Sequence, residues 1–208
     1  MSLKENAAYF SRARVVPVLT YQSVESGVAV SRVLFDAGLR MQEITLRTEC
    51  GLETIAAVTR ELPGSIVGAG SVVTPDLGEA AIQAGARFLV SPGTNDTLLR
   101  FAADCRVPFL PGVSTVSESM RVLALGCTAA KLFPADLLGG VTFLRAVAGP
   151  LPSMKFCPSG GIDARVAPDY LRVANVLAVG GSWMAPAELI REKRYADIYQ
   201  LAETAASL

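Results

Sequence analysis

Short apolar runs alternate along the chain with longer segments in which apolar residues recur at the three- and four-residue spacing of an α-helix. The runs are rich in Val, Ile, Leu and Phe on both faces, which is typical of parallel strands buried on both sides. Helical spacing is clear in Thr97–Cys105, and Thr115 with Glu118 forms a capping box. The predicted strands are Val15–Thr20, Met41–Leu46, Ser65–Gly70, Phe88–Gly93, Phe109–Val113, Ala129–Pro134, Lys155–Ser159 and Val176–Gly181.

Eight strand–helix units follow one another, and a helix over about Leu3–Ala13 precedes the first strand. This order predicts an α/β fold, a compact (β/α)8 TIM barrel with an extra N-terminal helix. No linker or charge block divides the chain, so we expect residues 1–208 to form a single barrel domain. An open doubly wound sheet is the alternative, because periodicity does not show closure. In a barrel, the C-terminal strand ends and the loops after them build the active site.

Histidine is absent from the 208 residues. This absence excludes Ser-His-Asp and Cys-His catalytic triads and any zinc site that needs imidazole. Acid–base chemistry must therefore use carboxylates, Lys, Tyr, Cys or water. Lysine is also scarce, because the 19 basic side chains include only Lys4, Lys131, Lys155 and Lys193.

The 19 basic and 19 acidic side chains balance, so we expect neither a nucleic acid nor a membrane surface as a partner. No apolar run has the length of a membrane span, and Met1–Phe10 carries charged residues where a signal peptide has an apolar core. The cysteines are scattered without a C-x-x-C pair, which favours a reducing compartment and predicts a cytoplasmic protein. They are Cys50, Cys105, Cys127 and Cys157.

Lys131 lies in the sixth predicted strand, with no other charged residue before Asp136. Small and apolar neighbours reduce the hydration of a lysine, which favours the neutral amine, a nucleophile toward ketones. Lys131 is therefore a candidate Schiff-base lysine, and a structural salt bridge to a barrel carboxylate is the alternative. Lys4 and Lys193 fall in terminal helices, and Lys155 begins a strand at the opposite end of the predicted barrel.

Glu43, Thr45 and Arg47 share one face of the second predicted strand, with Arg47 nearest its C-terminal end. A buried carboxylate suits proton exchange near neutrality, so Glu43 is the candidate general acid–base. The planar guanidinium of Arg47 suits a carboxylate or phosphate. A Glu43–Arg47 ion pair is the alternative, although about 3.3 Å of rise per residue separates the two backbones by roughly 13 Å.

Glycines follow the seventh and eighth predicted strands, in Ser159-Gly-Gly161 and Gly180-Gly-Ser182. Backbone N–H groups beside glycine approach anions closely, and barrels often bind phosphate after these two strands. The two pairs together predict a phosphate site, although either pair alone is typical of a tight turn. Gly68–Ser71 and Ser91–Gly93 end the third and fourth strands with small residues that leave room for a ligand, and Ser71 is a candidate polar contact.

Seven motifs occur in order between about residues 15 and 186. Together they resemble the bacterial 2-keto-3-deoxy-6-phosphogluconate (KDPG) and 4-hydroxy-2-oxoglutarate (KHG) aldolases. The resemblance implies a homotrimeric, metal-independent class I aldolase without a cofactor. The motifs are Glu43-Ile-Thr-Leu-Arg-Thr-Glu49, Gly68-Ala-Gly-Ser71, Ser91-Pro-Gly93, Pro111-Gly-Val-Ser-Thr115, Lys131-Leu-Phe-Pro-Ala135, Phe156-Cys-Pro-Ser-Gly-Gly161 and Gly180-Gly-Ser-Trp183.

The resemblance also implies roles for single residues. Lys131 would form the Schiff base and Glu43 would shuttle protons, with no metal at the site. The family commonly has Thr where this chain has Ser71 and Ser159, which keeps the hydroxyl and removes a methyl group. The remaining implied contacts are Arg47 and Ser71 for the substrate carboxylate, Ser159 for a substrate hydroxyl, Gly160, Gly161, Gly181 and Ser182 for phosphate, and Pro92 and Phe133 as pocket walls.

The implied substrate is a small phosphorylated 2-keto acid, KDPG, which would give pyruvate and glyceraldehyde 3-phosphate. The same chemistry on unphosphorylated KHG would give pyruvate and glyoxylate. Cleavage of the phosphogalactonate epimer is an alternative, although that branch of the family lacks the Leu-Arg-Thr-Glu string found here. A phosphate-binding barrel isomerase or decarboxylase with Lys131 as a base is another, and a catalytically silent binding barrel is a third.

Overall fold

A curled, parallel sheet surrounded by helices forms the α/β fold of residues 6–208, the part of the chain that the computed structural model describes. The strands are β1 (Val15–Leu19), β2 (Met41–Thr45), β3 (Ile66–Gly70), β4 (Leu89–Val90), β5 (Phe109–Leu110), β6 (Gly112–Val113), β7 (Ala129–Leu132), β8 (Lys155–Pro158) and β9 (Val179–Gly181). The helices are α1 (Asn6–Phe10), α2 (Val24–Asp36), α3 (Gly51–Glu61), α4 (Pro75–Gln83), α5 (Asp96–Asp104), α6 (Val116–Ala124), α7 (Gly140–Ala148), α8 (Ala167–Leu171), α9 (Ala187–Arg191) and α10 (Tyr195–Ala206).

The strands pair in two parallel sets. One set has the order β5-β4-β3-β2-β1-β9, and the other has the order β6-β7-β8. Pro111 divides the fifth predicted strand into β5 and β6, because proline has no N–H for a strand ladder. Since β5 pairs with β4 and β6 pairs with β7, the segment Phe109–Val113 belongs to both sets.

Local sequence signals fix several element boundaries. Glu118 Oε2 accepts a hydrogen bond from the Thr115 amide at 2.9 Å, and Thr115 Oγ1 accepts one from the Glu118 amide at 3.2 Å. This confirms the predicted capping box at the start of α6. Of the helix expected over about Leu3–Ala13, Asn6–Phe10 is helical, and Met1–Glu5 lie outside the described residues.

Buried apolar side chains form two layers, one inside the curl of the sheet and one between the sheet and its helices. The inner layer includes Val16, Met41 and Phe88, and the Phe10 ring of α1 packs edge-on against Phe88 at 5.5 Å. Because side chains alternate along a strand, residues two positions from Met41 also point inward, and the first of them is Glu43. No helix within residues 6–208 has both the length and the apolarity needed to cross a bilayer.

Candidate functional site

Lys131 and Glu43 form an ion pair inside the curl of the sheet. Nζ of Lys131 lies 3.1 Å from Oε1 and 3.4 Å from Oε2 of Glu43. The two residues are only 5% and 3% exposed. This is the salt bridge that the sequence left as the alternative for Lys131. It also places an amine beside the base that can take its proton, and this transfer produces the nucleophilic form of a lysine.

Two glycines of β3 provide the space for this interior arrangement. A Cβ atom on Gly70 would overlap the Glu43 carboxylate, and one on Gly68 would overlap the Phe88 ring. The sequence interpretation of these small residues was space for a ligand. In the structure protein side chains fill this space: the Glu43 carboxylate lies against Gly70, and the Phe88 ring lies against Gly68. The pairing of β2 with β3, in which Glu43 lies opposite Gly68, brings Glu43 beside these glycines.

Arg47 follows β2 and is held by a residue from the loop after β3. Its Nε donates a hydrogen bond to Oγ of Ser71 at 2.9 Å. Among the described ion pairs Glu43 is bonded to Lys131 and none joins it to Arg47. Ser71 has a φ of 60°, in the left-handed region, where a serine is less crowded than a β-branched threonine. Among the described residues, no hydrogen bond or ion pair engages the two terminal nitrogens of Arg47, so both can bind an anion.

A cavity of about 320 Å³ opens at the C-terminal ends of the strands. Glu43 lies below it, in a smaller interior cavity of about 20 Å³ that also touches Lys131 and Ser159. Nζ of Lys131 stands 5.6 Å from the centre of the Phe133 ring. The larger cavity brings together many of the residues predicted from the sequence, namely Arg47, Lys131, Phe133, Ser159, Gly160, Gly161, Gly181 and Ser182.

The two glycine pairs meet at one side of this cavity. An isolated parallel bridge joins Ser159 to Gly180, so the loops after β8 and β9 are neighbours. Gly160 and Gly161 both have left-handed φ angles, of 95° and 77°. Within the described residues, neither the Gly161 amide nor the Ser182 amide donates a backbone hydrogen bond. These free N–H groups suit an anion such as phosphate.

Pro92 lies in a separate surface pocket beside Val73 and Leu98. Gly112 approaches it so closely that a Cβ atom there would overlap the Pro92 backbone. Because Gly112 is the strand partner of Lys131, Pro92 supports the strand next to Lys131.

The polar groups around the cavity are an amine, a guanidinium, hydroxyls and backbone amides. In the part of the chain that the structure describes, no three His, Cys, Asp or Glu side chains converge as ligands for a metal. The amine–carboxylate pair can exchange protons, while the guanidinium and the amides can hold two negative groups. Such an arrangement suits covalent chemistry on an organic molecule with an anionic group at each end.

Comparison with protein families gives a match to the model "KDPG and KHG aldolase" over residues 7–201. The chain belongs to this aldolase family. The KHG/KDPG aldolase of Escherichia coli (strain K12) is 42% identical over 191 residues, which cover 92% of this chain and 90% of that protein.

Crystal structures of other family members superpose closely on this aldolase-family chain. The KDPG aldolase of Legionella pneumophila, with pyruvate captured at low pH as a covalent carbinolamine intermediate, gives a TM-score of 0.94 at 36% identity, covering 97% of this chain and 98% of that one. The KDPG aldolase of Zymomonas mobilis ZM4 with 3-phosphoglycerate gives a TM-score of 0.91 at 36% identity, covering 98% and 96%.

Thr20 is a cavity residue of this family member that the sequence analysis missed. It follows β1 directly and lines the cavity, and its hydroxyl lies 2.7 Å from that of Thr45. The signal was present, because Thr20 ends the first predicted strand on the C-terminal side. The same rule that selected Arg47 and Ser182 therefore applies to it.

The cysteines of this family member should differ sharply in reactivity. Burial raises the pKa of Cys157 to about 12, so its thiol stays protonated at pH 8, and the thiolate is the reactive form. Cys50 is half-buried in the loop after β2. We expect iodoacetamide at pH 8 to alkylate Cys50 in the folded protein and Cys157 only after denaturation, measured by peptide mass spectrometry. Rapid labelling of Cys157 in the native protein would contradict this assignment.

Proposed function

We propose that this protein is a class I aldolase that cleaves KDPG to pyruvate and glyceraldehyde 3-phosphate, and KHG to pyruvate and glyoxylate. One observation carries the proposal: the buried Lys131–Glu43 pair, 3.1 Å apart, at the floor of a cavity that Arg47 and the two glycine loops line. The family membership and the relative with pyruvate captured as a carbinolamine support the same chemistry.

The first half of the proposed reaction joins Lys131 to the substrate. Glu43 takes a proton from Lys131, and the neutral Nζ attacks the C2 ketone to give a carbinolamine. Glu43 gives this proton to the carbinolamine hydroxyl, which leaves as water, and an iminium forms. The iminium serves as the electron sink, so this step requires no Lewis acid. Arg47 binds the C1 carboxylate through its terminal nitrogens, and Ser71 holds the guanidinium in place by accepting from Nε.

The second half breaks the C3–C4 bond. The Glu43 carboxylate, directly or through a water, removes the C4 hydroxyl proton, and the bonding electrons move through C3 into the iminium to give an enamine. The aldehyde leaves with its new C=O bond. Glu43 returns the proton to C3, and hydrolysis of the iminium releases pyruvate and restores the lysine.

The phosphate end of the substrate would lie on the two glycine loops. We assign the phosphate to the backbone of Gly160, Gly161 and Gly181 and to Ser182, whose groups line the same side of the cavity. Ser159 would contact a substrate hydroxyl between the phosphate and the lysine. The relative with 3-phosphoglycerate supports a ligand of this kind. Phe133 would form a wall of the pocket, and Pro92 would shape it from behind.

We further propose that residues 1–208 form one domain and that the sheet closes as a full (β/α)8 barrel with α1 across its N-terminal end. The bridges Phe156–Val176 and Ser159–Gly180 support closure on one side, and Phe109–Val113, which belongs to both strand sets, supports it on the other. Assembly as a homotrimer in the cytoplasm follows from the family resemblance. Light scattering at three times the mass of one chain would test the assembly.

Trapping with borohydride tests the proposed function. We expect pyruvate plus sodium borohydride to add a reduced pyruvyl group to one lysine, and peptide mass spectrometry to locate it on Lys131. Lys155, at the opposite end of the strands, is the internal control. A protein that uses Lys131 only as a base, as in the alternative isomerase or decarboxylase, would give no adduct. The absence of an adduct, or an adduct on another lysine, would contradict the proposal.

A further inference from the structure

A second large cavity, of about 440 Å³, lies at the N-terminal ends of the strands. It is bounded by the residues before β1 and β2, by the turn before β3 and by the end of α10. The candidate aldolase site opens at the other ends of the same strands, so the two cavities are separated by the sheet interior. Its volume is in the range of about 300–1,000 Å³ that is common for small-molecule sites.

Three arginines surround this N-terminal cavity. Arg12, Arg14 and Arg40 all line it and all have exposed side chains. Within residues 6–208 no aspartate or glutamate lines it, and none of the three guanidiniums forms an ion pair. In a chain with no net charge, this concentrates positive charge at one concave place.

Aromatic rings support two of these guanidiniums. The Arg12 guanidinium carbon stands 5.7 Å from the centre of the Tyr9 ring, and that of Arg40 stands 5.5 Å from the Phe35 ring. Stacking of this kind restricts the side chain and leaves its edge free to donate hydrogen bonds. These two arginines are therefore partly ordered before any ligand binds, which reduces the entropy lost on binding.

The floor of the cavity is apolar. Val15 and Met41 are buried side chains of the first positions of β1 and β2, and both line it. Gly38 also lines it and has a φ of 99°, in the left-handed region that favours glycine. An apolar floor under a rim of arginines suits an organic molecule with a strongly anionic end.

We propose that this cavity binds a small anion that carries several phosphate groups. Each guanidinium presents a planar pair of donors that matches two phosphate oxygens, and three such groups around one cavity match a chain of linked phosphates. A single carboxylate would engage one arginine and leave two without a partner. The site is independent of the proposed aldolase function.

Calorimetric titration with inorganic triphosphate tests this site. We expect binding to the native protein and to Arg145→Gln, which removes an exposed arginine on α7 outside this cavity. In Arg14→Gln/Arg40→Gln the affinity should fall by about tenfold or more, because two charge-assisted contacts are lost. KDPG cleavage should be the same in all three proteins, which separates this test from the aldolase proposal.

The cavity at the C-terminal strand ends is the competing site for triphosphate. Equal affinity in the native protein and in Arg14→Gln/Arg40→Gln, or displacement of triphosphate by glyceraldehyde 3-phosphate, would overturn the proposal. Arg14→Lys/Arg40→Lys keeps the charges and provides a second variant if the glutamine variant unfolds. We expect its affinity to fall less than that of the glutamine variant.

Tighter binding of ATP than of triphosphate would assign an organic group to the apolar floor, and equal binding would assign the affinity to the phosphates.

Discussion

Replacement of Lys131 by alanine should lower kcat/KM for KDPG cleavage by about 10,000-fold or more, because covalent catalysis loses its nucleophile. Neither of the other two lysines that the structure describes offers a substitute. Lys155 is hydrogen-bonded to the Ala174 carbonyl at the opposite end of the strands, and Lys193 is paired with Glu25 at the surface. Pyruvate release in a coupled assay measures the effect. Turnover close to that of the native protein would refute the Schiff-base assignment.

The same replacement should also destabilise the fold. It leaves the Glu43 carboxylate buried without its partner, and breaking a buried ion pair costs about 3–5 kcal/mol of unfolding free energy. The double variant Lys131→Met/Glu43→Gln removes both charges, so we expect urea unfolding to show most of the stability recovered while activity stays lost. If the double variant recovered activity together with stability, the loss of activity in Lys131→Ala would come from unfolding, and the pair would have a structural role only.

Gly70→Ala should reduce kcat/KM by about 100-fold, although the added methyl group touches no part of the substrate. The methyl group would displace the Glu43 carboxylate, and a misplacement of about 1 Å in a catalytic group can cost this much. Lys131 keeps its nucleophile, so borohydride should still trap pyruvate in the variant. Slower cleavage with retained trapping is therefore the expected combination.

Gly68→Ala is the matched control for this prediction. It adds the same methyl group two residues earlier in β3, where the group meets the Phe88 ring and not Glu43. Overpacking of a core costs about 1–3 kcal/mol, so we expect lower stability with nearly native kcat/KM below the unfolding transition. Equal losses of activity in Gly70→Ala and Gly68→Ala would contradict the claim that Gly70 acts by leaving space for the Glu43 carboxylate.

Alternation along strands is the reason that the inward positions of Glu43 and Lys131 could be predicted from the sequence. The alternation within a strand determines which residues share a face. The strand segments that contain Glu43 and Lys131 each have one charged residue among uncharged neighbours. The choice between a Glu43–Lys131 and a Glu43–Arg47 pair needed the curvature of the sheet, which brings β2 and β7 together across the interior. The strand distance of roughly 13 Å already disfavoured the pair with Arg47.

Features that depend on register between strands could not be predicted in the same way. The space that Gly70 leaves for Glu43 depends on the register between β2 and β3. This register cannot be predicted from the sequence of either strand alone. The fourth predicted strand, Phe88–Gly93, is reduced to Leu89–Val90, and Pro92 within its predicted end cannot donate to a ladder. The arginine-lined cavity likewise joins Arg12 and Arg40 to the end of α10, residues far apart in the chain.

The free amides of Gly161 and Ser182 have a consequence for laboratory evolution of this protein. Because these N–H groups belong to the backbone, only a substitution by proline deletes one of them, whereas any change of side chain removes an arginine or lysine clamp. Selection for a preference for substrates without a phosphate, such as KHG, over KDPG must therefore fill or reshape the space beside the loops. Side chains that line the cavity, such as Thr20 and Ser159, are the positions where such libraries should begin.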